Sequence, residues 1–166
     1  MITPLLLQAA TSLLAECRAR GLMLATAESC TGGLIAATLT EIAGSSDVVD
    51  RGFVTYSNAA KSDMLGVPPG LIEANGAVSG PVAAGMAAGA LQRSKAALTI
   101  AVTGVAGPGG GTESKPVGTV WFGIASRGGD TMTEHRVFPG DRAAVRQATV
   151  EHALAILSAA VKARPG

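Results

Sequence analysis

The sequence predicts an α/β fold, a three-layer α/β/α sandwich on a mixed, mostly parallel five-stranded sheet, formed by the whole chain, residues 1–166, as one domain. Three observations predict it. Short apolar runs of strand length alternate with helical patterns in the first two thirds of the chain, which is the signature of parallel strands joined by helices. Two late runs, 118–126 and 131–138, are separated only by Arg127-Gly128-Gly129-Asp130, a hairpin spacing that makes this pair antiparallel. Hydrophobic residues make up 48% of the chain but aromatics only 3%, so a core of Ala, Val, Leu and Ile must be closely packed helix on sheet.

The elements follow in order. Thr3 and Pro4 combine a capping hydroxyl with a first-turn proline; Leu6, Ala9, Ala10, Leu13, Leu14 and Cys17 share one face, and Gly21 closes this helix. Leu22 to Thr26 is the first strand, and Thr31 to Ala43 a helix with small residues at its start. After the turn Gly44-Ser45-Ser46-Asp47, Val48 to Tyr56 is the second strand, and Asn58 caps a helix reaching Leu65. Gly66 to Gly70 breaks the chain, and Leu71 to Ala74 forms a brief helix. Ser79 caps the next helix, with Pro81 in its first turn, running to about Ser94. Ala97 to Thr103 is a buried third strand, loop 104–117 leads into the hairpin, and Asp141 to about Lys162 is a final amphipathic helix with Val145, Ala148, Leu154 and Leu157 among its apolar positions.

Composition excludes several classes. A formal net charge of +1 does not suit a nucleic-acid or anionic-membrane partner. No apolar run reaches membrane-spanning length, and no charged segment precedes the apolar N-terminal stretch as in a signal peptide. Cys17 and Cys30 make neither a disulfide framework nor a zinc site, and His135 and His152 have no carboxylate at metal spacing, so no metal or cofactor is expected and a reducing cytoplasm is the expected location. The Ala- and Gly-rich helices permit tight subunit packing, so a homodimer or higher homo-oligomer is expected.

Chemistry concentrates in three stretches, each directly after an apolar strand-like run: Ala27-Glu28-Ser29-Cys30-Thr31-Gly32-Gly33, Thr55-Tyr56-Ser57-Asn58-Ala59-Ala60-Lys61, and Thr103-Gly104-Val105-Ala106-Gly107-Pro108-Gly109-Gly110-Gly111. In open α/β sheets ligands bind at strand C-termini, so the three loops meet at one sheet edge. Ser29 stands on a strand-to-helix turn, where Cys30, Thr31, Gly32 and Gly33 present backbone N–H groups to an oxyanion or a phosphate; helix capping by Ser29 or Thr31 is the alternative use. Lys61, one turn into its helix, serves as a base only if desolvation lowers its pKa, and is otherwise an ordinary solvated lysine. Tyr56 and Asn58 flank the same strand end and can hydrogen-bond a polar ligand. The glycine loop is neither a dinucleotide fingerprint nor a phosphate-binding Walker loop, yet Gly104, Gly107, Gly109 and Gly110 let a ligand lie against backbone. Arg142 and Arg146 share one helix face suited to a phosphate or carboxylate, or else simply to water. These are the parts of a serine hydrolase with lysine as base. A hydrolase using Cys30 and a nucleotide-binding module without chemistry remain open alternatives.

The blocks T-A-E-S-C-T-G-G, G-F-V-T-Y-S-N-x-x-K, T-G-V-A-G-P-G-G-G, K-P-V-G-T-V-W-F-G-I and G-D-R-x-x-V-R, in order from about Leu5 to Leu157, resemble the C-terminal domain of the CinA (competence/damage-inducible protein) family. The resemblance implies nicotinamide-nucleotide amidase activity: hydrolysis of nicotinamide mononucleotide (NMN) to nicotinate mononucleotide and ammonia, in pyridine-nucleotide salvage. It implies a Ser–Lys arrangement on Ser29 and Lys61. By residue type, Tyr56 is expected to orient the lysine or to pack near the pyridine ring. The glycine loop and Arg142 would hold the ribose phosphate, with Thr103 among the substrate contacts. Larger family members carry a further N-terminal domain linked to ADP-ribose pyrophosphatase activity; this chain has no counterpart to it, so that activity is not expected. A competence-related regulatory role is the competing expectation.

Overall fold

A computed structural model of the protein describes residues 2–165. Helix α1 (Pro4–Ala19) leads into strand β1 (Leu24–Glu28), followed by α2 (Leu34–Thr40), β2 (Val49–Val54), α3 (Asn58–Leu65), α4 (Pro69–Asn75), α5 (Gly80–Gln92), β3 (Leu98–Gly104), β4 (Thr119–Ser126), β5 (Thr131–Val137) and α6 (Arg142–Ala163). Strand order is β2-β1-β3-β4-β5. The β1–β2 and β1–β3 ladders are parallel and the β3–β4 and β4–β5 ladders antiparallel. The ladders therefore divide evenly, while in direction β4 alone runs against the other strands.

Alternation along β3 divides the core between the two faces of the sheet. Leu98, Ile100 and Val102 join Leu13, Ile35, Val145 and Leu157 under α1, α2 and α6. Ala101 joins Val82, Met86 and Ala90 under α5. On that second face, Thr99 Oγ1 donates to the carbonyl of Ala87. Close approach explains the small residues there: a Cβ on Gly123 of β4 would strike the carbonyl oxygen of Ala83 in α5, and one on Gly89 of α5 would strike that of Leu65 in α3.

The expected elements are present, with shifts that have physical causes. Strand β1 runs two residues further than expected, because Ala27 and Glu28 pair with both β2 and β3. Helix α2 begins at Leu34 rather than Thr31, because Gly32 and Gly33 take positive φ (58° and 99°) and hold the segment before it as a turn. Ser57, not Asn58, caps α3, its hydroxyl accepting from the N–H of Ala60. Ala9 is exposed on α1, while Leu6, Ala10, Leu13, Leu14 and Cys17 are buried. No helix among the described residues is long and apolar enough to cross a membrane.

The topology concentrates one edge. The C-terminal ends of β1, β2, β3 and β5 and the start of β4 lie together there. β1 connects to β2 through α2 on one face, and β2 connects to β3, on the other side of β1, through α5 on the opposite face. The crevice outside β1 and β3 is thus a topological switch point, where open sheets bind ligands.

Candidate active site

Ser29 immediately follows β1, and its N–H is held by the carbonyl of Val102 on β3 at 3.0 Å. The chain then turns sharply, with Gly32 N–H donating to the Ser29 carbonyl at 3.0 Å and Leu34 N–H to the Thr31 carbonyl at 3.1 Å. Neither Ser29 nor Thr31 caps α2, whose capping position is Gly33, without a side-chain bond. The Ser29 hydroxyl is left to face the crevice, where the side chain is 9% exposed.

Lys61 is 1% exposed, which is exceptional for a lysine. Its Nζ lies 3.0 Å from Ser29 Oγ and donates to the Thr55 carbonyl at 2.9 Å. Burial is the main cause holding this amine below its ordinary value of 10.5, opposed by the proximity of Cys30. A neutral amine that donates one N–H to Thr55 keeps its lone pair for the Ser29 proton. Ser29 Oγ, Lys61 Nζ and the Thr55 carbonyl therefore stand in hydrogen-bonded sequence, the geometry that a serine nucleophile with a lysine base would need. Cys30 is a poor rival, because burial pushes its thiol up to about 12, so it stays protonated at neutral pH.

The pair opens into a cleft of about 220 Å³ walled by Ser29, Cys30, Tyr56, Asn58, Lys61, Ala77, Val78, Thr103, Gly104, Ala106 and Arg142. The Thr103 hydroxyl is turned to the Ala77 carbonyl at 2.8 Å, fixing that wall. Arg142, the first residue of α6, donates to the Gly107 carbonyl at 2.9 Å and to the Tyr56 hydroxyl at 3.0 Å. Tyr56 is thus a 62% exposed rim residue tied to Arg142, and its hydroxyl bonds the arginine rather than Lys61. Gly109 and Gly110 are exposed and form no part of the cleft wall; Gly107 reaches it through its carbonyl. Lys115 fastens the end of the same loop, its Nζ donating to the Asn75 carbonyl at 2.9 Å.

Two further charged residues build the site: Glu28, which sequence reading did not single out, and Arg146, expected with Arg142 on a phosphate- or carboxylate-binding face but bonded instead to the serine turn. Glu28, fully buried at the end of β1, accepts from the Thr31 hydroxyl (2.6 Å) and from the N–H groups of Ile35 (2.8 Å) and Ala36 (3.0 Å). It supplies the cap that α2 lacks locally, accepting from backbone N–H groups that have no partner within the helix. A glutamate at the end of an apolar strand run was the signal available in sequence. Arg146 donates from Nε to the Cys30 carbonyl (3.2 Å) and from Nη2 to the Thr31 carbonyl (3.0 Å). The two arginines that share a helix face therefore divide, Arg142 toward the cleft and Arg146 onto the serine turn. The Thr55 carbonyl, Ala77, Val78 and Ala106 also escaped sequence reading, since neither a backbone acceptor nor a small apolar wall residue carries a pattern. Among the described residues no group of His, Cys, Asp and Glu is placed to hold a metal ion.

The fold and site define a three-layer α/β domain with a buried serine–lysine pair at its topological switch point. The chain belongs to the CinA C-terminal domain family, whose description it matches over residues 7–161. It is similar to nicotinamide-nucleotide amidohydrolase PncC of Escherichia coli strain K12, 51% identical over 140 residues, covering 84% of this chain and 85% of that protein. It is also similar to a CinA-like protein of Akkermansia muciniphila, 53% identical over 141 residues. That match covers 85% of this chain but 34% of the relative, so the chain spans about a third of its length. The crystal structure of competence/damage inducible protein CihA from Agrobacterium tumefaciens superposes with a TM-score of 0.93 at 49% identity, covering 98% of each chain.

Proposed function

We propose that this protein hydrolyses the carboxamide of NMN to nicotinate mononucleotide and ammonia, a reading supported by the name nicotinamide-nucleotide amidohydrolase carried by its E. coli relative, and so serves pyridine-nucleotide salvage. The single observation that carries the mechanism is the 3.0 Å approach of a fully buried lysine amine to a serine hydroxyl. Lys61, neutral through desolvation, takes the Ser29 proton as Oγ attacks the carboxamide carbon. The tetrahedral oxyanion is held by main-chain N–H groups of the serine turn, where removing one such donor typically costs about 100- to 1000-fold in kcat. Lys61 returns the proton to the leaving nitrogen, the C–N bond breaks and ammonia departs. A water then gives its proton to Lys61 and attacks the acyl carbon, the C–Oγ bond breaks, and the proton returns to Ser29. Arg142, which lines the cleft and is held by Gly107 and Tyr56, takes the ribose phosphate at the rim, while Asn58, Thr103 and Gly104 border the pyridine carboxamide.

The test is ammonia release from NMN by the purified chain, with Ser29→Ala as control. Turnover that disappears in Ser29→Ala supports the reading. NMN binding without ammonia release in the wild-type chain would replace it with the regulatory nucleotide-binding module.

A further inference from the structure

We propose that β5 is the surface through which two copies of this chain pair, edge to edge, into a dimer with one continuous sheet; the inference is independent of the amidase reading. β5 is an outer strand of the sheet. Phe138 N–H donates to the Gly118 carbonyl, so along β5 the even-numbered residues bond to β4. The N–H and C=O groups of Thr131, Thr133, His135 and Val137 therefore point outward, and among the described residues no hydrogen bond reaches them. Edge strands normally carry a device against pairing, such as a bulge, a proline, a charge or a covering segment. The other edge, β2, is guarded: its ladder to β1 slips between Leu24 and Ala25, and Arg51 is tied to Asp50 and to the Arg93 carbonyl. The β4–β5 ladder is unbroken from Val137 to Thr131, β5 contains no proline or glycine, and its Met132 and Val137 are exposed. Its only guard is the charge of Glu134 and Arg136, and that charge is self-complementary.

The charges select a register. Two identical strands that pair antiparallel about a two-fold axis set one residue opposite its own copy at the centre. Centred on His135, reciprocal main-chain bonds join His135 to its counterpart and Thr133 to Val137 of the second copy, using the groups that point outward. Between those pairs, at the closer non-hydrogen-bonded positions, Glu134 faces Arg136 of the second copy. Both side chains have capacity to spare. The bonds to Glu134 fall on Oε1, one from Nε of Arg136 in its own chain (2.8 Å) and one to His152 (2.8 Å), and among the described residues none falls on Oε2. Arg136 uses Nε and Nη2 and leaves Nη1 free. Pairing therefore closes a ring of alternating glutamate and arginine side chains across the two-fold axis. Centred instead on Glu134 or on Arg136, like charges face each other. Centred on Thr133, Glu134 faces Met132, and Val137 runs past the end of the partner strand. The His135 register also sets Met132 opposite Phe138 of the second copy. Met132, Phe122, Ile124 and Ile156 wall an apolar groove of about 390 Å³ between β5 and α6. Phe138 meets Phe122 edge-on, so pairing brings the exposed methionine of each copy to the aromatic cluster of the other.

The experiment uses the full chain. Analytical ultracentrifugation should find twice the 16.4 kDa mass of one chain, because a pair of identical edges closes at two copies; a monomer or a trimer overturns the proposal. Arg136→Glu sets like charges opposite each other at both symmetry-related positions and should weaken dimerisation by about tenfold or more. Adding Glu134→Arg to it should restore most of the affinity. Thr133→Pro removes an N–H that points away from β4, so it should leave the far-UV circular dichroism unchanged and yield a monomer. A dimer as tight as wild type in Arg136→Glu or in Thr133→Pro overturns the interface. Amide hydrogen exchange of the wild-type chain needs no variant. In a free edge strand the amides of Thr133, His135 and Val137 exchange like those of the exposed loop Gly109 to Gly111. In the paired strand they are slower by about a hundredfold or more and lose that protection on dilution. A dimer in which these amides exchange as fast as the loop joins through another face and refutes the assignment of β5.

Discussion

Lys61→Met is the most informative single change, because the structure makes opposite demands on activity and stability at that position. Methionine fills a similar volume with no amine. Loss of a positioned general base removes about 100- to 10,000-fold from the rate. Stability behaves differently. The unfolded amine titrates near 10.5, while the folded amine, 1% exposed, titrates lower because burial disfavours its charge. Between these two values the unfolded chain binds one more proton than the folded chain, so wild-type stability rises with pH, by about 1.4 kcal/mol per pH unit. Above the unfolded value both states are neutral and the charge penalty is absent; below the folded value both are protonated and it is fully present. The substituted thioether carries no such term, so near neutrality the variant is relieved of the cost of taking this amine, protonated in the unfolded chain, out of water. The opposing cost is the Thr55 carbonyl left without its donor, about 1–3 kcal/mol. Subtracting urea unfolding free energies of the variant from those of the wild type, at steps from about pH 7 to 10, cancels every other titrating group. The difference should climb toward the wild type as pH rises. A difference that stays flat over this range would refute the desolvated lysine, and with it the assignment of Lys61 as base.

The remaining outcomes concern the nucleophile, the phosphate and the turn. Ser29→Ala should abolish ammonia release while calorimetry still detects NMN, and Cys30→Ala should retain turnover within a few-fold, since a thiol pushed up to about 12 supplies no thiolate near neutrality; a dead Cys30→Ala that still binds NMN and folds would reopen the cysteine route. Nicotinamide riboside, lacking the phosphate assigned to Arg142, should lose roughly a hundredfold or more in kcat/KM, from two charge-assisted bonds at about 1.5–3 kcal/mol each, and Arg142→Ala should reduce the preference for NMN over the riboside; equal efficiency on both by the wild type would move the phosphate elsewhere. Glu28→Ala leaves the Thr31 hydroxyl and two helix N–H groups without their acceptor and should cost about 3 kcal/mol or more in urea unfolding, whereas a loss below about 1 kcal/mol would show that α2 caps itself.

The division between what the sequence determined by itself and what required the tertiary structure follows the range of the forces involved. Strands, helices and turns were legible because their signals are local: β3 reads as a mostly apolar run of strand length, Ser79 caps α5 as its place before Pro81 implies, and Arg127 to Asp130 makes the turn of the β4–β5 hairpin. Ser29, Lys61, Asn58, Thr103 and Gly104 could be placed at one cleft because parallel strands deliver successive strand ends to the same edge whatever their order. Direction of a side chain is not local. Only the order β2-β1-β3 and the roll of α3 carry Lys61 inward across 32 residues to Ser29 instead of out to water. Only the docking of α6 divides Arg142 from Arg146, and only the pairing of β1 on both sides buries Glu28 where it caps α2. Gly109 and Gly110 share the composition of Gly104 and Gly107 yet lie exposed beyond the cleft wall, because residue type alone does not fix where that loop runs: Arg142 ties it at the Gly107 carbonyl and Lys115 ties its end to Asn75.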